Sequence, residues 1–352
     1  MNFRRRLEKE KIKTKFKILI LTVIAVMVMS FTLTGCGSGS SDQGETAEIT
    51  IVQQYGMAYA PFKVMEEKQL VEKAYKEATG KDVTVNYTVL ASGASINESF
   101  TSGQVQVGAM GVAPAVTGTL SGAGYKICSN MSAQPQKMMT NSTSVKSLKD
   151  IKADDKIAVV NIGSIQHILL AMAAKEELGD AHALDNNLNP YSHPDGMTAL
   201  INGNVTAQVT TSPYTFKEEA TEDADLTEVM TSDGSKGAIE SVWPEGNSFI
   251  VAVASTELYE NDPDLYNAVV QGISDATEFI ENNKEEAAEM LCENEEVDAA
   301  TMLEWLNDSA CSYSTELKGV MDMANFMAEE GFLEVDGPSD ISDLVFDNVK
   351  GN

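Results

Sequence analysis

The chain has 352 residues, with 25 lysines and arginines against 53 aspartates and glutamates, 43% hydrophobic residues and a formal net charge of −28. So acidic a surface repels nucleic acid and anionic lipid, which excludes nucleic-acid binding. The length is enough for two domains of ordinary size.

The first seventeen residues hold Arg4, Arg5, Arg6 and five lysines against Glu8 and Glu10, and no charge follows from Ile18 to Thr34. A basic leader, an apolar stretch and a small-residue junction describe a secretory signal; as a permanent helix the uncharged run would be barely long enough to span a bilayer. The junction Leu33-Thr34-Gly35-Cys36 resembles the bacterial lipoprotein signal. That resemblance implies a signal peptide over residues 1–35 and lipidation of Cys36, which holds the protein on the outer face of the cell membrane. Residues 36–47, rich in glycine and serine, read as a flexible tether. Beyond residue 35, 317 residues carry 17 lysines, no arginine and 51 acidic side chains, a net charge of −34. No guanidinium fork is available to hold an anion; backbone N–H groups, hydroxyls, histidine or lysine must do it. Cys128, Cys292 and Cys311 match no metal motif, and both a Cys292–Cys311 disulfide and free thiols are open.

From residue 48, strand and helix patterns alternate. EITIVQQ (48–54) reads as a buried strand, 61–79 as a helix with Pro61 near its start and Gly80 at its end, and DVTVNYTVL (82–90) as a strand. A short helix (94–101), the strand VQVGAM, a helix near 114–121 and the strand YKICSNM complete a parallel, helix-covered unit. PQKMMTN leads out of it. A second unit runs through DKIAVVN (155–161), the helix 164–178, a strand near 188–191, the helix 195–202 and VTAQV (205–209). FIVAVAS (249–255) reads as a return strand, and the rest, to about 332, as helical. The two units rhyme: FTSGQVQVGAMGVAP (100–114) aligns with LINGNVTAQVTTSPY (200–214), setting Gly103 over Gly203 and Val105 over Val205. In each, a glycine caps a helix, a valine-led segment follows, and a proline marks where the strand leaves the sheet.

Across this order the chain resembles the solute-binding lipoproteins of ABC importers, in the nitrate/sulfonate/taurine group (NitT/TauT, SsuA/THI5-like). The resemblance rests on the Cys36 signal, GMAYAPF (56–62), Ser102–Val105 with Gly111–Pro114, Ser147–Asp150, Ser212-Pro213-Tyr214 and ELYENDPDLYNA (257–268). The family usually has an aspartate after Gly-x-Val, where this chain has Gln106 and Thr206. The resemblance implies a periplasmic-binding-protein-like (type II) α/β fold: two lobes with mixed, mostly parallel sheets around a ligand cleft, two hinge strands and a helical C-terminal part. Lobe one is then 48–137 plus 249–352, and lobe two 138–248. It also implies a monomer, a permease and an ATPase as partners, no cofactor and no catalysis.

Ligands of open α/β sheets sit beyond the carboxyl ends of the strands, and the candidate residues are taken from there. In lobe one they are Gln54, Tyr55 and Gly56, then Ser92 and Gly93, then Gly111, Val112 and Ala113; glycine lets backbone approach a ligand. In lobe two Gly163 and Ser164 open an apolar helix whose N–H groups can face an anion, with Gln166 and His167 in its first turn. His193 lies between a strand and a helix, and Ser212 precedes Pro213. Aromatic faces are available from Tyr55, Tyr59, Tyr214 and Trp243, of which Tyr214 and Trp243 are best placed to cross between lobes. The three histidines are too scattered for zinc. The many glutamates of 281–305 read as a solvated face. No nucleophile elbow, dinucleotide fingerprint or phosphate loop occurs. The missing arginine, the acidity and the aromatics favour a neutral or weakly charged planar ligand, pyrimidine-like, with a sulfonate-type ligand as the other choice. Two further classes stay open: a surface enzyme acting on a pyrimidine-type precursor, and a sensor lipoprotein without transport.

Overall fold

A computed structural model describes residues 47–221 and 224–352. The signal peptide, Cys36 and the tether up to residue 46 lie outside the described residues. β1 (Ala47–Gln53) begins at the last residue expected in the tether and pairs in parallel with β2 (Val83–Val89) and β3 (Val107–Gly111). The helix expected over 61–79 is two helices, α1 (Ala60–Lys68) and α2 (Leu70–Thr79), parted at Gln69, whose φ is 51°. Gln69 closes α1 as a left-handed cap, donating its N–H to the Glu66 carbonyl at 3.2 Å. α3 (Gly93–Thr101), α4 (Val112–Leu120) and β4 (Tyr125–Ser132) complete the first pass.

The chain then enters a second sheet at β5 (Gln136–Thr140), so Gln136 and Lys137, expected in lobe one, are hydrogen-bonded in the other sheet. β6 (Ile157–Val159), α5 (Ile165–Leu178), β7 (Leu188–Pro190), α6 (His193–Ile201), β8 (Ala207–Thr211), α7 (Tyr214–Glu219), β9 (Thr227–Thr231) and α8 (Ile239–Val242) follow. β9 was not expected from sequence. β10 (Ile250–Ser255) returns to the first sheet. After α9 (Thr256–Asn261), α10 (Pro263–Asn282) packs on α1 and α2; α11 (Lys284–Leu291) and α12 (Ala299–Leu306) pack on each other, and α13 (Val320–Glu329) packs on α4.

The strand orders are β2-β1-β3-β10-β4 and β7-β6-β8-β5-β9. One strand in each sheet runs against the other four: β10 in the first and β5 in the second, both in the fourth place. Each is the first strand after the chain crosses from the other sheet, so entering from the far lobe reverses its direction. The rhyme between the two units is structural. Gly103 and Gly203 both sit at φ 70°, where only glycine is unstrained. Gln104 and Asn204 then donate to carbonyls five residues back at 3.0 and 2.8 Å. The backbone N–H groups of Gln106 and Thr206, the positions that depart from the family pattern, bond the neighbouring strands at Thr50 and Lys156. Central strands such as β3 are buried throughout, which explains their uninterrupted apolar runs.

Candidate ligand-binding site

The carboxyl ends of β1, β3, β6 and β8 meet at a cavity of about 20 Å³, room for one water. Its second-lobe wall starts at Ser164, whose Oγ caps α5 by accepting the His167 N–H at 3.3 Å. The Ile165 and Gln166 N–H groups have no acceptor within the helix, and Ser164, Ile165 and Gln166 all line the cavity. His193 opens α6 beside them. Its Nε2 lies 3.3 Å from Gln166 Nε2 and its Nδ1 3.5 Å from Thr210 Oγ1. An amide nitrogen only donates, so Nε2 accepts and Nδ1 carries the proton. Burial pushes the His193 pKa down to about 4, so the ring is neutral at pH 7. It stacks on Tyr214 at 5.3 Å and 15°.

From the first lobe come Gln54, Tyr55, Tyr59, Gly93 and Gly111. Glycine at 111 is a packing necessity between lobes, because a Cβ there would lie 2.7 Å from Ile165 Cγ2. Gly56, at φ 112°, passes close to the Ser212 carbonyl; an added Cβ would meet it at 3.3 Å. The lobes are thus in contact on both sides of the cavity. No carboxylate, thiol or lysine lines it among the described residues, and no group of side chains suited to a metal occurs among them.

A larger chamber of about 310 Å³ adjoins, sharing Gln54, Tyr55 and Tyr59 with the cleft and adding Gln53, Gly56, Lys63, Glu66, Tyr214 and Glu295. Tyr55, 53% exposed, stands where the two meet.

Of the candidates read from sequence, Gln54, Tyr55, Tyr59, Gly93, Gly111, Ser164, Gln166 and His193 come together at the cleft, and Gly56 and Tyr214 at the chamber. The others do not line either. Ser92 caps α3, accepting the Ser95 N–H at 3.2 Å. Val112 and Ala113 are not strand-exit residues: α4 begins directly after β3 and buries both completely. Gly163 donates its N–H to His167 Nδ1 at 2.9 Å. That bond turns His167 away from the cleft, toward Asp185 and edge-on to Phe332. Ser212 is wholly buried and donates to Gln134 Oε1. Trp243 is 3% exposed, a core residue. Sequence missed Asn161 and Thr211, which the end-of-strand rule that gave Gln54 would also have given. It also missed Glu295, whose side chain is only 12% exposed inside a segment read as solvated. Cys128, Cys292 and Cys311 are free, so the Cys292–Cys311 disulfide is not formed.

Two α/β lobes closing on a polar cleft define the periplasmic-binding-protein fold. The NMT1-like family matches residues 42–293, and the chain belongs to it. Among solved structures it is similar to the alkanesulfonate-binding protein SsuA from Xanthomonas axonopodis pv. citri bound to MOPS, with 15% identity over 86% of this chain and 99% of that one and a TM-score of 0.69. It is also similar to the periplasmic aliphatic sulphonate-binding protein SsuA from Escherichia coli (17%, 87% and 94%, 0.63). A third is the periplasmic nitrate-binding protein NrtA from Synechocystis PCC 6803 (12%, 85% and 84%, 0.62). No curated protein matches the chain by sequence.

Proposed function

We propose that the protein is the solute-binding component of an ABC importer. It is anchored through lipid on Cys36 at the outer face of the cell membrane, captures a small organic molecule between its lobes as a monomer, and hands it to a permease driven by an ATPase. The segments 133–135 and 243–249, where the chain crosses between sheets, act as the hinge. A ligand touching both lobes favours the closed form by its differential affinity.

The observation that carries this reading is the make-up of the cleft: residues of both lobes converge on one cavity, and all of its polar groups are uncharged. A neutral histidine held between an amide and a hydroxyl, with no acid, thiol or lysine beside it, suits recognition rather than catalysis. The ligand it suits is planar and neutral or weakly charged, of pyrimidine type. A sulfonate would have to rely on the α5 N-terminus and hydroxyls alone, although sulfonates are what two of the similar structures are named for. A thermal-shift panel of pyrimidines, sulfonates and nitrate tests the reading. A pyrimidine should raise the melting temperature with the logarithm of its excess over Kd and compact the protein in X-ray scattering. Stabilisation by sulfonates alone overturns the ligand assignment; no compaction with any binder overturns the closing mechanism. Cys36→Ser should release the protein from the membrane fraction.

A further inference from the structure

We infer that the chamber beside the cleft receives an ammonium or amino group, so that the ligand carries a basic nitrogen at one end. This rests on the solute-binding reading above. Among the described residues the chamber offers acceptors and no unpaired cation. Gln53 Oε1 is buried without a hydrogen-bond partner among the described residues and belongs to a chamber-lining residue. Glu295 Oε2 takes the Lys217 ammonium at 3.3 Å, while its Oε1 makes no hydrogen bond among the described residues. The one lysine in the lining, Lys63, is spent on Glu66 at 3.2 Å and Glu67 at 2.8 Å. An anion entering here finds the nearby lysines, Lys63 and Lys217, already paired with carboxylates, whereas a group that donates finds the unpaired Glu295 Oε1, with Gln53 Oε1 left unpartnered in a lining residue.

The wall already demonstrates its taste for a cation. Lys217 Nζ lies between Glu295 and the rings of Tyr214 (5.3 Å) and Trp305 (6.0 Å), a carboxylate-and-aromatic seat of the kind that holds ammonium groups. Tyr214 and Glu295 face the chamber, so the seat's carboxylate and one of its rings are shared with whatever fills it. Burial raises the Glu295 pKa and Lys217 lowers it; an ammonium on Oε1 would favour the charged carboxylate further. The two ends of the site then differ in kind: N–H groups of α5 at the cleft, oxygens at the chamber.

The test uses three matched probes on the full chain in detergent, followed by ligand-observed NMR: 2-phenylethylamine, 2-phenylethanol and 2-phenylethanesulfonate. The amine should bind tightest. Glu295→Gln should weaken the amine about tenfold, the loss expected for one hydrogen bond between charged groups, and leave the alcohol unchanged. Glu176→Gln, an exposed carboxylate on α5 away from both cavities, removes the same charge and should change neither. Melting of Glu295→Gln without probe checks that the fold survives. If that variant unfolds, Gln53→Leu replaces it; a loss is expected for both donors, the amine and the alcohol, larger for the amine, and none for the sulfonate. A sulfonate that binds as tightly as the amine, or an amine preference that survives both variants, overturns the inference. Failure of all three probes while a panel compound still stabilises the protein overturns this inference alone. Failure of the whole panel overturns the reading beneath it.

Discussion

Gly111 gives the sharpest test of closure. It ends β3 in the first lobe, and its Cα faces Ile165 at the start of α5 in the second. In Gly111→Ala the new Cβ would sit 2.7 Å from Ile165 Cγ2 and 2.9 Å from Ile165 Cβ. Contacts that short force something to shift. The cheapest shift is to part the lobes, because both Gly111 and Ile165 are held in buried backbone. Overpacking of this kind costs about 1–3 kcal/mol. If the cost falls on the closed form alone, it appears as a loss of ligand affinity of about fivefold to 150-fold. Calorimetry with the best compound of the panel reads it directly, and X-ray scattering should show a larger radius of gyration at saturation. Ile165→Ala removes the nearer of the two clashing atoms and should recover part of the affinity in the double variant, a coupling that distant residues would not show. An unchanged Kd in Gly111→Ala would refute closure through this contact.

Three further outcomes follow from titratable groups and thiols. His193 has a folded pKa of about 4, below the 6.5 of an ordinary histidine; the unfolded chain therefore takes up the proton first. Stability is full above pH 6.5 and is lost as pH falls toward 4, by at most about 3 kcal/mol. His193→Asn should flatten that limb of a pH–melting curve. Glu218 behaves oppositely: it is 1% exposed, both its oxygens lack partners among the described residues, and burial pushes its pKa up to about 8. The folded state keeps a proton the unfolded state has lost, so stability falls as pH rises from about 4.5 to 8. Glu218→Gln should raise the melting temperature by several degrees at pH 8 and little at pH 5, equivalent to on the order of 2–4 kcal/mol. Burial pushes Cys128 and Cys311 up to about 12, whereas Cys292 is only half-buried. With Cys36 blocked, a thiol reagent should therefore modify Cys292 in the native protein and reach the other two only on denaturation.

The architecture was legible because its signals are local. Central strands covered on both faces give continuous apolar runs, and the glycine at φ 70° before β3 and β8 repeats because the same helix-to-strand turn is built twice. β9 escaped because TEVMT follows a run of acidic residues and resembles the loop around it. The break at Gln69 escaped because the helical spacing of apolar residues continues through it. Site residues were legible as positions but not as directions. Being just beyond a strand selected Gln54 and Gln166, which line the cleft, and also Ser212, whose side chain packing turns inward. His167 was lost to one hydrogen bond from Gly163, and Glu295 to burial that depends on α7 arriving from 78 residues earlier in the chain.

Charge placement ties the acidic chain to the kind of molecule the proposed closure would take. Fifty-one carboxylates lie beyond residue 35, yet among the described residues not one lines the cleft. Closing two lobes on a site strips water from everything inside it, and an unpaired charge there costs several kcal/mol. A neutral cleft avoids that cost when the ligand part inside it is neutral too. Carboxylates do line the adjoining chamber, where Glu66 and Glu295 are already paired with lysines. Dehydration there is compensated before any ligand enters, and a basic nitrogen can join an existing ion pair without creating an isolated charge. A sulfonate meets the reverse arrangement: among the described residues no cation lines the cleft, and the chamber's lysine is already paired with carboxylates. On the proposed reading, selectivity is therefore set by which charges have been left out of the site as much as by the groups that line it.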